Sequence, residues 1–114
     1  MKRKVFAVIG LGEYGTSVAL SMARQGCEVM AIDINGDKVQ AIADEVTQAI
    51  RADGADLEVV SSLGLGNMDA AVIAIGNNLE ASIMATIAAK ECGVPFVLVK
   101  AATDVQATVL KRIG

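Results

Sequence analysis

Short apolar runs alternate along the chain with stretches in which apolar residues return every third or fourth position, and Gly, Asn or Asp marks most of the switches. Val5-Phe6-Ala7-Val8-Ile9 reads as a buried strand. From Glu13 to Gln25, Tyr14, Val18, Ala19 and Met22 fall at helical spacing, and Gly26 is a helix stop. Glu28 to Ile32 predicts a second strand, closed by Asp33. Asn35 is placed to cap a helix whose apolar positions are Val39, Ile42, Ala43 and Val46. Thr47 to Ala52 predicts a third strand ending at Asp53-Gly54, and a short helix is expected over Asp56 to Leu63. The turn Gly64-Leu65-Gly66-Asn67 then leads into Ala70 to Ile75, an unbroken apolar run of the kind found in strands covered on both faces. After Gly76-Asn77-Asn78 the pattern predicts a helix over Leu79 to Cys92, stopped by Gly93. A fifth strand, Phe96 to Lys100, is entered through Pro95, and Asp104 is placed to cap a last helix bearing Val105, Val109, Leu110 and Ile113.

This alternation predicts an α/β fold, a doubly wound parallel sheet of the Rossmann type with strand order 3-2-1-4-5. Such sheets usually carry a sixth strand, and the sequence runs out at Gly114 straight after a helix. The expectation is therefore a single nucleotide-binding domain over residues 1–114 that is a piece of a longer chain.

Composition narrows the function classes. At 114 residues the chain has the size of one domain with a real core. A net charge of −3 without a basic cluster argues against nucleic acid as a partner, because phosphate-backbone binding needs concentrated Lys and Arg. Lys2-Arg3-Lys4 is the only basic run, and the apolar stretch after it ends in glycines rather than in a cleavage site. No stretch has the roughly 18 apolar residues of a membrane span, so a cytoplasmic location is expected. Cys27 and Cys92 lack CxxC spacing and read as small hydrophobes. Histidine is absent, which removes the commonest general base, and no catalytic or metal-ligating set stands out.

Candidate chemistry begins where the first strand runs into Gly10-Leu11-Gly12-Glu13-Tyr14-Gly15 and a helix opens at once. In this dinucleotide-binding fingerprint Gly10 permits the tight turn, Gly12 lets a phosphate approach the backbone, and Gly15 lets helix and strand pack closely. The helix start supplies free N–H groups and a positive dipole end. Asp33, at the end of the second strand, has the position of the carboxylate that accepts hydrogen bonds from both ribose hydroxyls and repels a 2′-phosphate. No Arg follows it closely and only Lys38 is near, so NAD(H), ATP or ADP is expected and NADP is disfavoured. Ile34 and Asn35 complete that strand end. Asp53 and Gly54 are equally readable as adenine-lining residues or as a plain turn. Ile75, Gly76 and Asn77 lie where the second half of a dinucleotide would sit, and Lys100 is placed to neutralise phosphate. Tyr14, inside the glycine motif, reads more as packing than as chemistry.

Taken together, VFAVIGLGEYGTSVA, EVMAIDIN, DAAVIAIGNNLEAS, PFVLVKA and VLKRIG resemble the RCK (KTN) domain, the cytosolic regulatory domain of Ktr and Trk potassium uptake systems and of related potassium channels. The likeness runs from about residue 3 to Gly114, and AIGNNLEAS followed by LVKA is its most particular part. The resemblance implies a subunit that binds an adenine nucleotide, assembles as a homodimer or ring beneath a membrane-embedded potassium transporter subunit, and sets ion flux through ligand-dependent assembly. Ile83, Ile87, Val105 and Val109 are candidates for the pairing surface. Glu13 departs from the Arg that Ktr-type subunits commonly carry there, and Ala55 from a frequent Thr. Two like charges about 5 Å apart at an effective dielectric near 20 repel by roughly 3 kcal/mol. Glu13 thus disfavours a triphosphate more than a pyrophosphate, which favours NAD(H) over ATP or ADP. Two other classes compete: the cofactor half of an NAD-dependent dehydrogenase, and a pure interaction module. The chain has no Tyr but Tyr14, so a Tyr-xxx-Lys hydride-transfer dyad cannot be built from it.

Overall fold

The computed structural model describes residues 4–76 and 78–100. Five parallel strands, β1 (Val5–Ile9), β2 (Glu28–Asp33), β3 (Gln48–Arg51), β4 (Ala70–Ile73) and β5 (Val97–Val99), form one sheet in the order β3-β2-β1-β4-β5. The expected strand order is found. The crossovers carry helices α1 (Glu13–Arg24), α2 (Gly36–Ile42), α3 (Leu57–Ser62) and α4 (Leu79–Glu91), with a 3₁₀ turn at Leu65–Asn67. The last expected helix, with Val105 and Val109, lies outside the described residues, as does Asn77.

The two-residue period of the strands sorts their side chains onto opposite faces. Ala7, Ile9, Met30, Ile32, Ala71 and Ile73 point to the side closed by Val60, Leu65, Ala85 and Ala89. Val8, Val29, Ala31 and Val72 meet Ala19, Val39 and Ile42 on the other side. All four residues of β4 are buried, as its unbroken apolar run predicts. Burying a side chain such as Ile32 is worth about 1.5–3 kcal/mol, so these two layers hold the sheet rigid beneath its loops.

Helix α4 packs through a small face, with Ser82, Ala85, Thr86, Ala88 and Ala89 buried. Its buried Thr86 hydroxyl donates to the Ser82 carbonyl at 2.7 Å. Met84 and Ile87 face outward from the same helix while Ile83 is half-buried.

Several element ends differ from the pattern-based expectation. Helix α2 stops at Ile42, short of Val46. Beyond it the Ala43 and Glu45 amides donate to the Gln40 and Ile42 carbonyls, and the Thr47 hydroxyl oxygen accepts from the Val29 amide at 3.0 Å. Val46 still packs on the α1–α2 layer, but from a turn. The β4 ladder pairs through Ile73, the Ala74 amide still donates to the Ile9 carbonyl, and Ala74 and Ile75 form the wall against which Gly10 packs.

Candidate functional site

Sheet order reverses at β1, whose neighbours are β2 on one side and β4 on the other. In open α/β sheets this is where a crevice forms beyond the carboxyl ends of the strands. The turn after β1 is tied to both neighbours: the Gly10 amide donates to the Ile32 carbonyl at 2.8 Å, and the Ala74 amide donates to the Ile9 carbonyl at 2.7 Å. Gly10 has φ +102°, and a Cβ there would lie 2.8 Å from the Ala74 carbonyl. Only glycine accepts both conditions.

The glycines of the loop have different tasks. A Cβ on buried Gly15 would overlap the Gly10 carbonyl oxygen, so the missing side chain lets α1 close onto the loop. A Cβ on Gly12 would meet nothing within 4 Å. Gly12 is the N-cap of α1 and supplies no side-chain cap, so the first-turn amides of that helix are left for solvent or a ligand.

Asp33 sits at the end of β2 with both carboxylate oxygens engaged by backbone. Oδ2 accepts from the Leu11 amide at 2.7 Å and Oδ1 from the Asn35 amide at 2.8 Å. The carboxylate therefore pins the glycine loop to the strand end, and each oxygen keeps a lone pair for a further donor. The helix cap is left to Asn35, whose Oδ1 accepts from the Asp37 and Lys38 amides at 2.9 and 3.4 Å.

These residues border a crevice of about 1020 Å³. Gly10, Leu11, Gly12, Glu13 and Tyr14 line it from the first loop, and Asp33, Ile34 and Asn35 from the second. Asp53 and Gly54 line it after β3, Ile75 and Gly76 after β4, and Lys100 after β5. Gly15 stands behind the loop rather than on the wall. Asp53 closes its own turn, accepting the Ala55 amide at 2.9 Å, and Gly54 is held against Ile9 so tightly that a Cβ would collide with it. Lys100 Nζ stands 5.3 Å from the centre of the Tyr14 ring, at cation–π distance, and beside Gly76. Tyr14 is thus at the mouth of the crevice, 39% exposed, and not part of the core.

Sequence reasoning missed the contribution of α4. Its N-cap Asn78, together with Glu80, Ala81 and Met84, also lines the crevice. The available signal was the Asn78 cap, which accepts the Ala81 amide at 3.0 Å and marks a second helix start at the sheet crest. The charged lining residues are the acids Glu13, Asp33, Asp53 and Glu80 against the bases Lys38 and Lys100.

Comparison with known proteins follows the same lines. The chain is 45% identical over 112 residues to Ktr system potassium uptake protein C of Bacillus subtilis (strain 168), covering 98% of this chain and 51% of that protein. It is 48% identical over 111 residues to Ktr system potassium uptake protein A of Vibrio alginolyticus, covering 97% of this chain and 50% of that protein. The chain therefore spans about half the length of these curated relatives. Among solved structures, the TrkA-N domain of the inner membrane protein ybaL from Escherichia coli superposes with a TM-score of 0.84 at 15% identity, over 99% of this chain and 84% of that one. The family model for the TrkA-N domain matches residues 6–114, and with it the chain belongs to the TrkA-N domain family.

Proposed function

We propose that the chain is the nucleotide-sensing part of a potassium uptake system, and that it binds an adenine nucleotide without transforming it. The observation that carries this reading is the pairing of an open Gly12 with the Asp33 carboxylate across one crevice. The ribose hydroxyls would donate to the free lone pairs of Asp33, and the phosphates would lie against the α1 amides. The base would pass between Ile34 and the Asp53–Gly54 turn, and the distal half would reach Gly76 and Lys100.

NAD(H) is the favoured ligand, with ATP or ADP next. The acids outnumber the bases around the crevice, and Glu13 opens the helix at the phosphate position. Both features act against the added charge of an unesterified terminal phosphate. Glu13→Arg is expected to improve ATP relative to NADH by about tenfold. Calorimetric titration of both ligands reads that ratio, and an unchanged ratio would mean that the carboxylate points away from the phosphates.

A ligand lying across β1 touches both halves of the sheet, and it biases an assembly by its difference in affinity between two arrangements. The potassium transport role is supported by the relatives' names. No helix of the described residues is long and apolar enough to cross a membrane. The proposed work is done at the cytoplasmic face, with a separate membrane subunit as partner. The outward Met84 and Ile87 of α4 support a pairing surface there, with a second copy as its occupant.

Mass spectrometry of nucleotide retained through purification, followed by titration with NADH, NAD, ATP and ADP, tests the proposal. Retention or binding of one of them is expected. Turnover of NADH with a small keto acid would favour a dehydrogenase cofactor domain, and failure to bind any of the four would leave an interaction module.

A further inference from the structure

One peptide group beside the crevice is held at both of its polar ends. It joins Ile34 to Asn35, in the turn between β2 and α2. Its N–H donates to Asp33 Oδ1 at 2.8 Å, and its C=O accepts from Arg51 Nε at 3.3 Å. Sheet register brings the arginine there, because Arg51 pairs with Asp33 across the β2–β3 ladder. The Ala52 amide donates to the Asp33 carbonyl at 3.0 Å, which ties the two strand ends together beside the turn. The Arg51 side chain runs along Gly36, the first residue of α2, where a Cβ would lie 3.4 Å from Cδ and 3.8 Å from Nε. Asp33, Ile34 and Asn35 line the crevice, and Arg51 does not. Among the described residues the guanidinium makes no ion pair within 4.0 Å, so its link to Asp33 passes through the peptide.

We infer that Arg51 is a positioning residue for the nucleotide, acting from behind the turn on the Asp33 carboxylate through the Ile34–Asn35 peptide. The inference rests on the proposed seating of the ribose at Asp33. A carboxylate at a strand end turns readily about its terminal bond, and two ribose hydroxyls need it in one orientation. Two backbone amides set that orientation, Leu11 on Oδ2 and Asn35 on Oδ1. The Leu11 amide belongs to a loop already fixed through Gly10 to the Ile32 carbonyl. The Asn35 amide belongs to an exposed turn and needs support of its own. Were its peptide to turn over, the N–H would leave Oδ1. The guanidinium on the carbonyl end opposes that rotation with a charge-assisted bond. It also polarises the peptide, and linked hydrogen bonds strengthen one another. A cation on one side of the turn thus fixes an anion on the other without entering the crevice. Ile34, beside which the base is proposed to pass, is held by the same peptide.

Two variants of the full chain test this. Arg51→Met keeps the stem along Gly36 and removes the donor, whereas Arg51→Lys keeps a cationic donor, which suffices because a single N–H is used. In amide NMR spectra of the ligand-free chain, Arg51→Met should move the Asn35 amide proton upfield, and Arg51→Lys should return it most of the way. In calorimetry with NADH and with ADP, Arg51→Met should weaken the tighter ligand by about fivefold, and Arg51→Lys should stay within about twofold of the unmodified chain. Arg51 is exposed, so both variants should melt within about 2 °C of the unmodified chain. An unmoved Asn35 amide would overturn the role, and so would unweakened binding in Arg51→Met. An Arg51→Lys variant no better than Arg51→Met, or a large fall in melting temperature alongside the lost affinity, would overturn it as well. If NADH or ADP binds and Arg51→Met binds it equally, the positioning role alone fails; if neither ligand binds the unmodified chain, the adenosine reading fails with it.

Discussion

Gly15→Ala is expected to lower the melting temperature by about 10 °C or more, corresponding to roughly 3 kcal/mol of lost stability. Gly12→Ala is expected to leave it nearly unchanged while cutting NADH affinity by about tenfold or more. The two residues are three positions apart in one loop, and space separates their effects. The Gly15 Cβ would overlap the Gly10 carbonyl, and Gly10 is fixed by the Ile32 carbonyl and by the Ala74 backbone. Neither side can yield without moving α1 off the sheet. The Gly12 Cβ would meet no protein atom within 4 Å, and its φ of −72° suits any L-residue. Its methyl group would occupy only the space where phosphates are proposed to pass. Thermal melts with parallel calorimetry read both effects. Unchanged binding in Gly12→Ala would place the phosphates elsewhere, and an unchanged melt in Gly15→Ala would mean that the loop is softer than its contacts indicate.

Asp33→Ala is expected to act on stability and binding together. It removes the acceptor of the Leu11 and Asn35 amides. Because the first of these bonds is partly buried, a loss of about 1–2 kcal/mol in stability follows. Adenosine ligands should weaken by about tenfold to a hundredfold, since hydrogen bonds to a charged acceptor are the strong ones. Asp33→Asn, which keeps one acceptor oxygen, should fall between. A variant that melts early but binds NADH normally would make Asp33 a loop pin and nothing more.

The sequence showed the local parts of this site well. A strand running without a gap into glycines and a helix start is written in consecutive residues, and so is the carboxylate that closes the second strand. Asn35 and Asn78 announce their helices in the same way. What it could not show depends on which strands lie side by side. Arg51 beside Asp33, the Leu11 amide bonded to the Asp33 carboxylate, and Lys100 over Tyr14 are all products of the sheet order. The early end of α2 was hidden for a related reason. Val46 continues the helical period, yet it packs on the layer of Val29, Val39 and Ile42 from beyond the helix end. Gly54 shows the limit from another side, because only its contact with Ile9 identifies it as a packing glycine.

An adenosine nucleotide is proposed to lie across the crest of the sheet between the glycine loop and Asp33. A crystal structure grown in excess NADH measures this most directly. Ribose oxygens are expected at about 2.6–3.0 Å from the Asp33 carboxylate and phosphate oxygens on the amides that open α1. A crevice left empty at saturating NADH, or a nucleotide bound away from Asp33, would contradict it.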